Sequence, residues 1–129
     1  MSMNNINYAN GLSEMIPWNM TTVIRTHYRM KPHVIDKKVQ ELIKSPKVNH
    51  VFYALEDDFE LGLQQNAQKI NHAHILISGS NSLSRDEMIK YMGLNSKAIL
   101  EIQRIRGKKA IANYITKYID HRNSHHNFF

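Results

Sequence analysis

Residues 20–28, MTTVIRTHY, alternate β-forming and polar residues, the period of a strand with one buried face. Pro32 is expected to break that strand. Over 34–44, VIDKKVQELIK, Val34 or Ile35, Val39, Leu42 and Ile43 recur at helical spacing, and SPK ends the pattern. VNHVFYALE, 48–56, reads as a second strand from its Val, Phe and Tyr content. The polar run DDFELGLQQNAQK, with Gly62, reads as a hairpin connection to a third strand, INHAHILIS, at 70–78. GSNSLS is a loop, and Ser84 followed by Glu87 forms a capping box that starts a helix running to about Tyr91, with Gly93 as its stop. SKAILEIQRIR, 96–106, reads as a fourth strand, and KKAIANYITKYID, 108–120, as a final helix. Residues 1–19 are rich in Asn and Met with little periodicity. They read as an arm with a short helix at Leu12–Ile16, ended by Pro17 and Trp18. The last residues, HRNSHHNFF at 121–129, read as a frayed, flexible tail.

The order is βαββαβ followed by a helix. It predicts an α+β domain over 20–120: a split βαβ (ferredoxin-like or RRM-like) antiparallel sheet with two helices on one face and a C-terminal helix carrying tyrosines. The other face is expected to be open for binding. Such a sheet serves RNA-binding, metabolic and nuclease domains alike, so topology alone assigns no function.

Composition narrows the classes. With 129 residues the chain suits one domain, and 42% hydrophobic content supports a packed core. A net charge of +6 and a pI near 9.6 favour an anionic partner, for a small domain most often nucleic acid. Without cysteine, a disulfide scaffold and a thiolate zinc site are excluded, and a reducing cytoplasm fits. No apolar run approaches the roughly 18 residues of a membrane span, so no membrane association is expected. The start of the chain lacks the basic and apolar regions of a secretory signal. A phosphate-binding Gly-Lys-Ser/Thr loop is absent, and a helicase domain would not fit in this length.

The chemistry concentrates in two places. On a strand, residues i and i+2 share a face, so His72 and His74 stand together while Ala73, Ile75 and Ile77 face the helices. Two imidazoles at that spacing suit one cation, although two half-exposed histidines on a sheet would look the same. The strand before them ends in Glu56, Asp57 and Asp58, an acidic cluster in a basic chain. Glu56 is the preferred third ligand and Asp57 the alternative. In ANYITKYID, Ile111, Ile115 and Ile119 form the buried stripe; Tyr114 flanks it, with Lys117 and Tyr118 close to Tyr114. Such tyrosines are commonly core-edge residues. Beside a metal, however, a tyrosine hydroxyl can attack a phosphodiester, with an ammonium lowering the cost of a phenolate whose ordinary pKa is about 10.

These motifs together resemble the HUH endonucleases, particularly the replication initiator (Rep) proteins of small viruses, phages and plasmids. HAH at 72–74 resembles the His-hydrophobic-His motif, YITK at 114–117 the Tyr-x-x-Lys motif, and Glu56 stands where related initiators place a third ligand. TTVIRT at 21–26 is similar to the first-strand motif. The resemblance spans about residues 20–120. It implies site-specific nicking and joining of single-stranded DNA through a 5′-phosphotyrosine, initiating rolling-circle replication. Tyr114 would be the principal nucleophile, His72, His74 and Glu56 would hold Mg²⁺ or Mn²⁺, and Lys117 would serve the phosphate. Tyr118, four residues after Tyr114, matches two-tyrosine initiators and would be either a second nucleophile or a packing residue. The larger initiators carry a helicase, so a host or separate viral helicase would be the partner here.

For the DNA itself, Arg25, His27 and Tyr28 on the first strand are candidates to track the backbone and stack a base. Arg104, Arg106, Lys108 and Lys109 cluster near the start of the tyrosine helix. Joining two strands with one tyrosine per chain would favour a homodimer. A transposase of the same chemistry remains open. So does a non-catalytic RRM-like binding sheet, although such sheets carry Phe or Tyr where this one carries His72 and His74.

Overall fold

A computed structural model describes residues 3–26, 28–57, 71–98, 101–119 and 125–129. The expected hairpin connection with Asp58 and Gly62, together with His27 and His121, lies outside them. In chain order the described elements are α1 (Met3–Met15), β1 (Met20–Arg25), α2 (Pro32–Ile43), β2 (Val48–Asp57), β3 (Asn71–Gly79), α3 (Arg85–Met92), β4 (Gln103–Arg104), α4 (Lys108–Ile119) and β5 (His125–Phe128).

The strands form one sheet in the order β4-β1-β3-β2-β5, with antiparallel neighbours throughout. Its first four strands follow the split βαβ arrangement, and the α+β fold expected from the sequence is present. Alternation along β3 divides the core in two. Ala73, Ile75 and Ile77 join Ile35, Val39 and Leu42 of α2 and Met88 and Met92 of α3. Leu76 faces the opposite way and joins Ile111, Ile115 and Ile119 of α4 and Ala9 and Leu12 of α1. The face expected to be open is therefore covered in part by α1 and α4.

Local signals explain most boundaries. Pro32 does not simply end β1; it occupies the first turn of α2, where its missing N–H costs nothing. Both bonds of the Ser84–Glu87 capping box form, and Gly93 closes α3 in the left-handed region at φ 64°.

Three segments depart from expectation, each through packing the local pattern does not reveal. The N-terminal arm is a helix, α1, and Ala9, Leu12 and Ile16 are buried against α4 and the sheet. Trp18 locks its end, donating from Nε1 to the Leu12 carbonyl at 3.0 Å. The fourth strand shrinks to Gln103–Arg104. Asn95 turns the chain before it, its Oδ1 accepting from the Lys97 amide at 3.1 Å and its carbonyl from the Ala98 amide at 2.9 Å.

The tail is the third. His125–Phe128 adds to the β2 edge, and Phe129 and Val51 exchange backbone bonds of 2.8 and 3.0 Å. A polar chain anchors it: buried Tyr53 donates to Asp36 of α2, and His125 Nε2 lies 3.1 Å from the Tyr53 hydroxyl. Burial, with Asp36 adding to it, raises the Tyr53 phenol well above its ordinary value.

Candidate metal centre

The centre rests on sheet register. Glu56 of β2 pairs directly with His72 of β3, and Arg25 of β1 pairs with His72 from the other side. Directly opposed residues project to the same face, so the Glu56 carboxylate and the two imidazoles meet above the end of the sheet. His72 Nε2 lies 2.9 Å from His74 Nε2 and 3.7 Å from Glu56 Oε1. One ligand atom from each of Glu56, His72 and His74 lies within 4.8 Å of the others, so this group can hold a metal ion. Asp57 pairs with Asn71, one register step along; its side chain lies outside the described part.

The donor set fits a cation. Two ligands at right angles around an octahedral ion, each about 2.1 Å from it, stand about 3 Å apart. The Nε2–Nε2 separation of 2.9 Å matches that spacing. Without an ion, one of the two nitrogens must carry the proton between them. His72 is only 8% exposed, so its ring nitrogens need polar partners there. Burial lowers the His74 pKa to about 4, with the nearby charges of His72, Lys117 and Arg25 acting in the same direction. At neutral pH His74 is thus a deprotonated imidazole, the form a metal requires.

Above the imidazoles lies α4. Ile111, Ile115 and Ile119 press it onto the sheet. Each fully buried aliphatic side chain contributes about 1.5–3 kcal/mol, while a helix of this length alone is marginal in water. Packing therefore sets the position of the tyrosines. The Tyr118 ring stacks on His74, with centroids 4.1 Å apart and planes at 27°. Tyr114 meets Tyr118 edge-on at 4.9 Å. His74, Tyr114 and Tyr118 line one pocket with Thr21, Val23 and Gln103, of about 410 Å³.

The two phenols differ. Burial raises Tyr118, but the Lys117 charge and its hydrogen bond to the phenol oppose this, while Glu56 adds to it. Tyr114 is raised strongly by burial, with Tyr118 adding to it. The Lys117 Nζ sits 5.2 Å from the Tyr118 ring centroid. Tyr118 therefore touches His74 directly, and Tyr114 stands one ring further away.

Comparison of the chain with family models, with curated proteins and with solved structures finds no match.

The basic residues expected to meet DNA fall into two groups. Arg25, exposed, lies at the metal end of β1. Arg104 pairs with Met20, five residues down that strand, which is about 16 Å away at 3.3 Å per residue. Arg106, Lys108 and Lys109 are exposed beyond it, around the start of α4. Sequence reasoning missed Asn71. Its carboxamide accepts from the Met30 amide at 2.9 Å and donates to the Met30 carbonyl at 2.8 Å, pinning the segment after β1 to the histidine strand. Its place immediately before the His-x-His motif was the available signal. Among the described residues, no helix is long and apolar enough to cross a membrane.

Proposed function

We propose that this protein nicks and rejoins single-stranded DNA at specific sites by tyrosine transesterification, as an initiator of rolling-circle-type replication. The observation that carries the reading is that His74, grouped with Glu56 and His72, also lines one pocket with two phenols of α4, one of them stacked on its ring. A cluster of imidazoles and a carboxylate is common on its own; paired with a buried tyrosine face and an adjacent ammonium it suits phosphoryl transfer.

The ligands would be Glu56, His72 and His74, and the ion Mg²⁺ or Mn²⁺. When bound, such an ion polarises a phosphodiester and stabilises charge on the departing oxygen. A phenol of α4 attacks the phosphorus. The bond from phosphorus to tyrosine oxygen forms, the bond to the 3′ oxygen breaks, the phenolic proton passes to water, and the 3′ oxygen takes a proton from water to leave as a hydroxyl. The 5′ phosphate stays on the protein as a tyrosyl phosphodiester. A second 3′ hydroxyl can reverse the exchange, rejoining strands without ATP.

Lys117 lowers the cost of forming a phenolate beside it. Family resemblance assigns the attack to Tyr114, whereas the contacts bring Tyr118 nearer to the ligands. Their four-residue spacing on one helix face suits alternate use of the two. The free 3′ hydroxyl would prime synthesis, with unwinding left to a helicase supplied by the host or encoded separately by the virus.

The test incubates the protein with a labelled library of randomised single strands and Mn²⁺, then runs a denaturing gel. A covalent protein–DNA band is expected, lost with EDTA and lost in the Tyr114→Phe/Tyr118→Phe double variant. No band from the native protein, or an undiminished band from the double variant, overturns the reading.

A further inference from the structure

A second cavity opens where β1 ends. Of about 430 Å³, it is lined by Arg25, Thr26, Tyr28, Asn95, Lys97 and Ala98 among others, and that volume lies within the range of small-ligand sites. Its walls are held from several sides. The Arg25 amide donates to the Ala98 carbonyl at 2.8 Å, and the Thr26 hydroxyl to the Tyr28 carbonyl at 2.6 Å. Asn71 fixes Met30 just beyond. Arg25 and Lys97 are exposed cations, and among the described residues none that lines the cavity is acidic. Tyr28 is 41% exposed, a large aromatic surface to leave in water.

Cations beside an accessible aromatic ring match one chemistry closely: a phosphate joined to a planar base. An acidic peptide would use the cations and leave the ring idle. Position adds to this. Arg25 pairs across from His72, and opposed residues on antiparallel strands are about 4.5–5.5 Å apart. The cavity therefore opens at the end of β1 that pairs with His72, with Arg25 in its lining.

We infer that this cavity binds one nucleotide of a single strand flanking the attacked phosphate, its base stacked on Tyr28 and its phosphate held by Arg25 and Lys97. The inference rests on the nicking reading for its placement, and its test is separable from that reading.

Binding is measured by fluorescence anisotropy in EDTA, where no cleavage proceeds. The probe is a fluorescein-labelled oligothymidine of about a dozen nucleotides, within the site sizes usual for single-strand binders. Tyr28→Ala is expected to weaken binding at least about 5-fold, the lower end for loss of one base–aromatic stack. Tyr28→Phe, which keeps the ring, is expected to restore most of the affinity; Tyr28→Leu, which keeps apolar bulk alone, is not. Arg25→Gln and Lys97→Gln should each reduce the slope of log affinity against log salt by about 0.7. Thermal melts confirm that each variant is folded.

Native-like binding by Tyr28→Ala, or equal losses in the Phe and Ala variants, overturns the nucleotide site. If the covalent adduct still forms while Tyr28→Ala binds normally, the cavity assignment falls and the nicking reading stands. Binding that depends on the Tyr28 ring without any adduct supports the cavity and removes the nicking reading.

Discussion

Replacing Asn71 by alanine strips partners from two buried backbone groups at once. The side chain is 1% exposed, and its two bonds to Met30, at 2.9 and 2.8 Å, satisfy both the amide and the carbonyl of that residue. Each buried polar group left unsatisfied costs about 1–3 kcal/mol. Partial relief by water entering the space brings the expected loss for Asn71→Ala to about 2–4 kcal/mol of unfolding free energy. Urea denaturation followed by circular dichroism reads this directly, with an unchanged slope marking a pure stability change.

Asn71→Asp sharpens the test. A carboxylate can still accept from the Met30 amide, but it places negative charge against the Met30 carbonyl. The folded state therefore favours the protonated acid, whose O–H can donate to that carbonyl, and the carboxyl pKa is raised above its ordinary value of about 3.9. Relative to the native protein, the Asp variant should be weakest near neutral pH. It should regain stability as pH falls through the raised folded value, levelling off below about 3.9. A loss under about 0.5 kcal/mol for Asn71→Ala, the size of an ordinary surface change, or an Asp variant as stable as native at neutral pH, refutes the double-bond clamp.

Other consequences follow from the same geometry. Tyr53→Phe removes the hydroxyl between Asp36 and His125 and should cost about 1.5–3 kcal/mol, the usual worth of a hydrogen bond to a charged group; faster hydrogen exchange across His125–Phe128 would accompany it, and unchanged exchange there would exclude an anchoring role. His74 holds its folded pKa near 4 against an ordinary 6.5, so its share of metal-free stability is whole above 6.5 and is lost as pH falls toward about 4. Since the ring is partly open to solvent, that loss is discounted for screening to about 1–2 kcal/mol, and a His74→Gln variant melted across the same range in EDTA should lack it. Glu56→Gln should weaken Mn²⁺ binding by at least the about 10–100-fold that losing an outer-shell partner costs, seen as a smaller rise in melting temperature at equal Mn²⁺.

Much of this site was legible because strand alternation and capping chemistry are local. The His-x-His spacing placed both imidazoles on one face, and antiparallel pairing through a hairpin brought Glu56 opposite His72. The Ser84–Glu87 box and Gly93 marked α3 for the same reason. What escaped depends on contacts distant in sequence. The helix α1 has weak periodicity and is held by burial against α4; β5 exists because the β2 edge accepts it and Tyr53 and Asp36 hold it. Neither partner is visible from the segment itself. Covering of the histidine face follows from the same omission: with α1 and α4 on it, His72 is buried where an exposed ring was expected. The 96–106 segment had strand-like composition, but the turn at Asn95 and the short β4 leave most of its described residues outside regular pairing.

Trypsin separates the two candidate phenols, since cleavage after Lys109, Lys117 and Arg122 places Tyr114 in AIANYITK and Tyr118 in YIDHR. Mass spectrometry of the digested Mn²⁺-dependent reaction with single-stranded DNA asks directly whether a phenol of α4 shares a centre with Glu56, His72 and His74. A nucleotide joined through its 5′ phosphate to one or both of these peptides, and to no other, is expected. Both peptides recovered only in unmodified form, or the nucleotide attached elsewhere in the chain, contradicts it.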